Sequence, residues 1–141
     1  MRGAQEIIDL LGLEPHPEGG WFKRFWSSPE TVDTQRGSRN LVTSIHYLLS
    51  AGESSRWHRI HGSQETWIWQ DGGELLLRTG GSGDAPVGSS EVRLGSASSG
   101  KPTYAVVDAE QWQTAHVADG EWVLVACFVS PGFDFVDWEA L

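Results

Sequence analysis

The residues with the clearest capacity for chemistry lie between Gly52 and Gly72. This run holds two histidines, three tryptophans and an acid, Glu65, that follows a turn. A histidine titrates near neutral pH, and a neighbouring carboxylate orients its ring and raises its pKa. His58 and Glu65 are therefore predicted to form a catalytic pair that moves a proton. The alternative is a buried polar pair that only joins two strands.

The spacing of this run also predicts where the side chains point. Side chains alternate between the two faces of a strand, so His58 and His61 lie on opposite faces. After the turn, the returning strand places Glu65, Trp67 and Trp69 on one face. If the hairpin closes, His58 and Glu65 converge on one cavity and the two indoles line its walls. There the indoles are predicted to bind substrate by stacking on a ring, although aromatic residues in a barrel also serve as plain core.

Glu18 and Tyr47 are further candidates for contact with a substrate. The two glycines after Glu18 permit a close backbone approach, which would bring its carboxylate to the mouth of a pocket. The alternative for Glu18 is a turn in which the carboxylate bonds to backbone amides. Tyr47 is a candidate general acid or an ordinary strand residue, and the sequence leaves open which of His46, Tyr47 and Tyr104 faces the pocket. His16, between two prolines, is predicted to be structural.

The elements that must position these residues begin with one short helix. Apolar residues recur with helical spacing within residues 1–14, and Gly12 and Pro15 end the helix. After it, short runs rich in β-branched and aromatic residues alternate with Gly, Ser, Asp and Pro, which predicts strands. The segment 79–102 predicts a loop-rich hairpin around a short strand, EVRL.

The arrangement of the predicted strands favours an all-β fold. The strand-like runs are NLVTSIHYLLS, SRWHRIH, ETWIWQ, ELLLRTG, TYAVVDA, QWQTAHV and WVLVACFVS. No helical crossover separates these runs, so we expect an antiparallel sandwich or barrel. No repeat and no linker divides the 141 residues, so residues 1–141 are predicted to form a single domain.

Charge and composition argue against several classes of function. The formal net charge is -9, so the surface repels phosphate backbones and anionic membranes, and neither is expected as a partner. A charged substrate would need a local cluster of cations, either Lys23 with Arg24 or Arg56 with Arg59. No apolar run reaches the ~20 residues of a membrane helix, and the start lacks the pattern of a secretory signal. With a single cysteine, Cys127, no intramolecular disulfide can form, which favours a cytoplasmic protein.

The spacing around His58 matches a known family pattern. Gly52, His58, Glu65 and Gly72 occupy the positions of the first motif of the cupin superfamily, and Ile60 stands where that motif has its second histidine. Beyond the motif, the chain resembles the small single-domain branch known as the fifth cupin family, a domain of unknown function. The resemblance is carried by LLGLEPHPEGGWF, TSIHYLL, WHRIHGSQETWIW, VVDAEQWQTA and VSPGFDFVDWE, which together span nearly the whole chain.

This resemblance implies a fold and a type of pocket. The implied fold is a double-stranded β-helix, or jelly-roll, barrel with a short N-terminal helix, usually assembled as a homodimer. The implied pocket is similar to those of deoxysugar epimerases. The resemblance implies no settled reaction.

The same resemblance indicates which residues would bind a metal ion if one were present. The segment VVDAEQWQTA resembles the second cupin motif, with Gln113 where the family usually places its last histidine. A metal here would have to be held by His58, Glu65 and Gln113, because Ile60 cannot ligate. An amide oxygen is a weak ligand for the metals that imidazole favours. No metal or other cofactor is therefore predicted to be required, and Gln113 is assigned to hydrogen-bond a substrate oxygen.

Several positions depart from the family pattern. Where relatives commonly carry an acid and then an arginine, this chain has Arg24 and Ser27. Gln64 replaces an acid before the motif glutamate, and His46 stands at a position that is commonly tyrosine. If these positions line the pocket, the ligand differs from that of the relatives.

The predicted function is that of a small-molecule enzyme without redox chemistry. It would be an isomerase, epimerase or dehydratase that uses His58 for proton transfer on a carbohydrate-like or carbonyl metabolite, with Glu65 holding or charging the imidazole. One alternative is a metal-dependent cupin oxygenase or isomerase. The other is a non-catalytic cupin that only binds a small ligand. The expected partners are that small molecule and a second copy of the chain.

Overall fold

The N-terminal helix forms as predicted and ends at Gly12. In the computed structural model, which describes residues 2–88 and 90–141, α1 spans Ala4–Leu11. Gly12 adopts a left-handed conformation with φ 65°, which a glycine reaches without steric cost, and its N–H bonds to the carbonyl of Asp9. The helix packs against the outer face of the sheet through a buried cluster of Ile7, Ile8, Leu13, Leu48, Trp122 and Leu124.

Most of the chain after α1 is β-strand. The strands are β1 (Glu14–Pro15), β2 (Trp21–Ser27), β3 (Thr31–Thr34), β4 (Gly37–Asn40), β5 (Thr43–Ser50), β6 (His58–Ile60), β7 (Gln64–Thr79), β8 (Ser90–Leu94), β9 (Tyr104–Val107), β10 (Gln113–Ser130) and β11 (Trp138–Ala140). Short 3₁₀ turns lie at Ala97–Ser99 and Phe135–Asp137.

Antiparallel pairing curls these strands into a barrel. In the main sheet the neighbours run β1–β2–β5–β10–β6–β11, and β7 pairs with β10, β8 and β9; β3 and β4 form a separate hairpin. Strand β10 is central, because residues 122–129 pair with β5 while the whole strand pairs with β7. One long strand thus joins both halves of the sheet. The result is the all-β double-stranded β-helix, or jelly roll, that the sequence predicts.

Two strands are longer than the sequence indicates. The sequence predicts breaks at glycines, but β7 continues through Gly73 and β10 continues through Gly120. Register shifts between Val117 and Val123 bend β10 at this point. A Cβ on Gly73 would collide with the carbonyl oxygen of Asp119. These glycines therefore let two bent backbones pass closely instead of ending the strands.

Other elements follow the sequence less closely. Strand β8 includes the predicted EVRL and pairs with β7, although residue 89 of the predicted hairpin lies outside the described residues. The sequence patterns miss β2, the β3–β4 hairpin and β11. In β2, residues 23–26 are all exposed, so the strand lacks the alternation of a half-buried strand.

A packed core fills the barrel beyond the cavity described below. Its fully buried members include Leu49, Trp67, Leu75, Val125 and Ala115. Trp112 is fully buried beneath Arg59, whose guanidinium carbon lies 4.5 Å from the ring centroid. Within the described part of the chain, none of the helices has the length and apolar character needed to cross a bilayer.

Candidate functional site

A cavity in the barrel brings His58 and Glu65 together with groups from distant parts of the chain. Its volume is about 500 Å³, which is in the range of small-molecule sites. The wall includes a buried titratable cluster of His16, Glu18, His58 and Glu65. It also includes a partly exposed aromatic rim of Phe22, Phe133, Phe135 and Trp138. The cavity therefore pairs acid–base groups with flat apolar surface.

The protonation of His58 follows from its two neighbours. Its Nδ1 lies 2.7 Å from the backbone oxygen of Arg56, and a carbonyl can only accept, so Nδ1 carries the hydrogen. Its Nε2 lies 3.2 Å from Oε2 of Glu18. Burial lowers the pKa of His58, although the charge of Glu65 and the bond to Arg56 oppose this. The neutral ring then presents a bare Nε2, so the proton between the two groups rests on Glu18.

Glu18 is held by a turn that packs tightly against the barrel. Its backbone N–H donates to Nδ1 of His16 at 3.1 Å, and its backbone oxygen accepts from the N–H of Arg56 at 2.7 Å. A Cβ on Gly20 would lie 2.8 Å from the carbonyl oxygen of Leu48, so only glycine permits this approach. The carboxylate of Glu18 thus reaches the cavity, as the first interpretation of the sequence predicts. Its contacts there are the side chains of His58 and Trp138 and not the backbone amides of the alternative.

The environment of Glu18 favours its protonated form. Burial raises its pKa from 4.5 to about 8, and a hydrogen bond from Trp138 that favours the ionised form only partly opposes this rise. The indole Nε1 of Trp138 donates to Oε2 at 3.3 Å. Burial, together with the charge of His58, lowers the pKa of His16 to about 4, so His16 is neutral at pH 7.

Glu65 stands at the end of a buried hydrogen-bonded chain. Nε2 of Gln113 donates to its Oε1 at 2.9 Å, and Oε1 of Gln113 accepts from the indole of Trp67 at 2.8 Å. Burial raises the pKa of Glu65 to about 7, and the interaction with His58 partly opposes that rise. At neutral pH, Glu65 is therefore poised to take up a proton while Glu18 is poised to release one.

Several residues predicted to contact a substrate lie behind the wall. Gln113, Trp67, Trp69 and Tyr47 do not line the cavity. The amide of Gln113 is already paired at both ends, and the indole of Trp69 donates to the carbonyl of Gly73 at 2.7 Å. Because these groups are engaged in the core, the predicted stacking on Trp67 and Trp69 and the predicted amide contact with substrate need correction.

The open question among His46, Tyr47 and Tyr104 is also answered. Tyr47 points inward and is buried, but its hydroxyl donates to the carbonyl of Gly19 at 2.6 Å. His46 stacks on the exposed Phe25 on the outer face, and Tyr104 is largely exposed. None of these three lines the cavity.

Sequence reasoning missed part of the wall. His16 is predicted to be structural, and Phe133 and Phe135 have no predicted role at the site, yet all three line the cavity. Their separation from His58 along the chain leaves no spacing that could reveal the contact. Of the predicted cation clusters, Arg24 lines the cavity, whereas Arg56 bonds to the backbone oxygen of Leu141.

The described residues do not form a ready metal centre. In the ranges 2–88 and 90–141, no group of three or more His, Cys, Asp or Glu side chains is arranged to hold a metal ion. Gln113, the third ligand that the family pattern would require, uses its oxygen for Trp67 and its nitrogen for Glu65. The donor set therefore does not fit the metal of the superfamily pattern.

The sequence of this barrel matches the model of a known protein family. The profile of the family described as Cupin superfamily (DUF985) matches residues 5–141. The chain belongs to this cupin family. The match spans the turn that holds Glu18, the hairpin that holds His58 and Glu65, and the aromatic segment near the end of the chain.

Solved structures extend the comparison. This cupin is 30% identical to a hypothetical protein from Leishmania major, with a TM-score of 0.88, covering 99% of this chain and 88% of that one. It is also 30% identical to a protein from Shewanella oneidensis, with a TM-score of 0.86, covering 100% and 85%. A dTDP sugar isomerase from Desulfovibrio desulfuricans shares the fold at 10% identity and a TM-score of 0.61, covering 85% and 83%. No curated protein is significantly similar to this cupin.

Proposed function

We propose that this cupin is a small-molecule enzyme of the isomerase, epimerase or dehydratase type, acting on a carbohydrate-like or carbonyl metabolite. The observation that carries the proposal is the buried cluster of Glu18, His58 and Glu65 on the wall of the cavity. Two carboxyl groups whose pKa values are raised to about 8 and about 7 supply an acid and a base at neutral pH.

In the proposed mechanism, Glu65 removes a proton from the carbon next to a carbonyl of the substrate. The carboxyl of Glu18, which shares its proton with Nε2 of His58, donates to the carbonyl oxygen as negative charge develops there. Returning the proton to the opposite face of the same carbon gives epimerisation. Placing it on the former carbonyl carbon, while the neighbouring hydroxyl loses its own proton, gives isomerisation. Loss of a hydroxyl from the next carbon, protonated to leave as water, gives dehydration. Positioned proton transfer contributes about 10²- to 10⁴-fold to the rate.

The pocket supports a carbohydrate-like or carbonyl substrate. Its volume suits a ligand of sugar size, and the aromatic rim offers flat faces for the apolar side of a ring. A dTDP sugar isomerase has the same fold, which supports the class of reaction without supplying the residues. Because the donor set does not fit the superfamily metal, we propose acid–base catalysis that needs no metal.

Solvent deuterium exchange tests this function without knowledge of the product. We expect the wild-type protein in D₂O to introduce deuterium next to the carbonyl of one class in a panel of ketoses, aldoses, keto-deoxysugars and 2-oxo acids. The exchange rate is expected to show a bell-shaped dependence on pH with apparent pKa values of about 7 and about 8, because Glu65 must be ionised and Glu18 protonated. Mass spectrometry measures the exchange, and a chelator should leave it unchanged.

Two outcomes would contradict the proposal. If the wild-type protein binds a member of the panel but exchanges no proton at any pH, the cavity is a binding site only. If the chelator abolishes exchange and a divalent metal restores it, the metal-dependent alternative is correct.

We also propose that the protein forms a homodimer. Large apolar side chains are exposed on the outer faces of β2 and β9, among them Phe25, Trp26, Tyr104 and Val106. Self-association would remove such surface from water. Light scattering at micromolar concentration is expected to give twice the mass of the 141-residue chain, and the mass of one chain would contradict the proposal.

A further inference from the structure

Arg24 places a positive charge at the opening of the cavity. It lies on β2 and faces the cavity together with Phe22, two residues earlier on the same strand. Its Nη2 donates to the backbone oxygen of Phe133 at 3.2 Å, which ties the guanidinium to the aromatic rim. A guanidinium carries five N–H donors, so donors remain for a ligand.

Within the described residues, the charge of Arg24 is not matched by an ion pair with an acid. Ion pairs hold Arg2, Arg36, Arg39, Arg59, Arg78, Arg93 and Lys101. Among residues 2–88 and 90–141, by contrast, no carboxylate forms an ion pair with Arg24. In a chain with 19 acids and a formal charge of -9, an unpaired guanidinium on a cavity wall is available to an anion from outside.

The backbone of β2 is irregular at Arg24, which is consistent with a side chain turned toward the cavity. The pairing of β2 with β5 shifts register between Arg24 and Trp26, which is the signature of a β-bulge. Bulges are common beside active sites, where they re-aim a side chain. Asp134 also lines the cavity, and its carboxylate accepts from the N–H of Val136 and so caps a 3₁₀ turn.

We propose that Arg24 binds an anionic group of the substrate, so that the substrate class is a carbonyl compound bearing a carboxylate or a phosphate monoester. The planar fork of arginine binds either group through paired N–H···O bonds. The aromatic rim packs against the body of the substrate. The carbonyl then lies at Glu18 and Glu65, a part of the inference that rests on the proposed function.

Matched pairs of aromatic probes test the anion subsite directly. The pairs are benzoate with benzamide and phenyl phosphate with phenol, titrated by calorimetry at about pH 6, where both raised carboxyls are protonated. We expect at least one anion to bind about tenfold or more tightly than its neutral partner, as charged hydrogen bonds typically give. The pair with the larger ratio identifies carboxylate or phosphate as the preferred group.

Three variants assign the preference to Arg24. Arg24→Gln is expected to remove the preference for the anion. Arg93→Gln is the control and is expected to keep it, because Arg93 lies on β8 and pairs with Glu74. Asp134→Asn is expected to strengthen anion binding, because the amide oxygen can still accept from Val136 while a nearby negative charge is lost. A wild-type protein that binds neither anion, or a preference that survives in Arg24→Gln, would overturn the proposal.

Failure of this inference is distinct from failure of the proposed function. Probe binding needs no turnover, so a protein that binds anions through Arg24 but exchanges no proton keeps the subsite and loses the enzyme. A protein that exchanges protons in neutral sugars and shows no preference for anions keeps the enzyme and loses the subsite.

Discussion

Glu65→Gln is expected to reduce deuterium exchange by about 10²- to 10⁴-fold while the protein still folds. The amide can accept from Gln113 as the carboxylate does, so the buried hydrogen-bonded chain to Trp67 is kept. The amide cannot take up a proton from carbon, so only the base is lost. Mass spectrometry of the exchanged substrate measures the effect, and Glu91→Gln, an exposed substitution on β8, is the matched control.

The same variant is expected to change how stability depends on pH. Glu65 has a folded-state pKa of about 7, above its usual 4.5, because burial disfavours the charge. The folded state therefore binds this proton more tightly than the unfolded state does. The resulting contribution of Glu65 to the free energy of unfolding is full below about pH 4.5 and is lost as the pH rises to about 7. The glutamine of Glu65→Gln does not titrate, so the variant does not lose this contribution. The free energy of unfolding of the variant minus that of wild type should therefore increase from about pH 5 to about pH 8.

Urea unfolding at those two pH values measures this difference. A variant that becomes less stable relative to wild type at the higher pH would show that Glu65 is ionised in the folded protein at low pH. That result would contradict both its raised pKa and its role as a base that works near neutrality.

Asp137→Ala is expected to lower the free energy of unfolding by about 3–5 kcal/mol, the usual cost of breaking a buried ion pair. Asp137 is 2% exposed and accepts from Nε of Arg36 at 2.5 Å and from Nε of Arg39 at 2.9 Å. The alanine variant leaves Arg39, whose side chain is also largely buried, without its partner. Denaturant unfolding at pH 7 measures the loss, and Asp33→Ala, exposed on β3, should change stability by less than about 0.5 kcal/mol.

Asp137 also directly precedes Trp138 of the aromatic rim. Burial of Asp137 opposes its ionisation, but hydrogen bonds from Arg39 and Arg36 outweigh burial and hold its pKa below 3.8. Its contribution is therefore present above that pH and is lost as the pH falls through the folded-state pKa. If Asp137→Ala were as stable as Asp33→Ala, the ion pairs of Asp137 with Arg36 and Arg39 would not stabilise the fold as proposed.

The positions of His58 and Glu65 can be predicted from the sequence because their geometry is local. His58 and Glu65 belong to one hairpin, and alternation along two short strands brings both to the cavity. The alternation of side chains predicts which face of the strand a residue lies on, but not how deep in the barrel it lies. Trp67 shares the face of Glu65, but it lies farther along β7, where the barrel is packed solid. That difference is the reason why the predicted stacking on Trp67 is wrong.

The remaining groups come together only through the fold. Trp138 and Glu18 are separated by 120 positions in the chain, and their contact depends on the pairing of β11 with β6. The sequence placed Glu18 near the mouth of a pocket from two glycines alone, and gave no reason to pair it with His58. The overall fold is easier to predict, because turn residues and strand-forming runs recur along the whole chain.

The peptide groups of a single residue bridge the proposed acid and its histidine partner. The amide hydrogen of Arg56 bonds to the carbonyl of Glu18, and the carbonyl of Arg56 receives the hydrogen of the His58 ring. The main chain of Arg56 therefore links the two partners through two hydrogen bonds that are separate from their own contact. Because main-chain atoms make this link, the contact between Glu18 and His58 does not depend on the side chain of Arg56, which bonds instead to the backbone oxygen of Leu141.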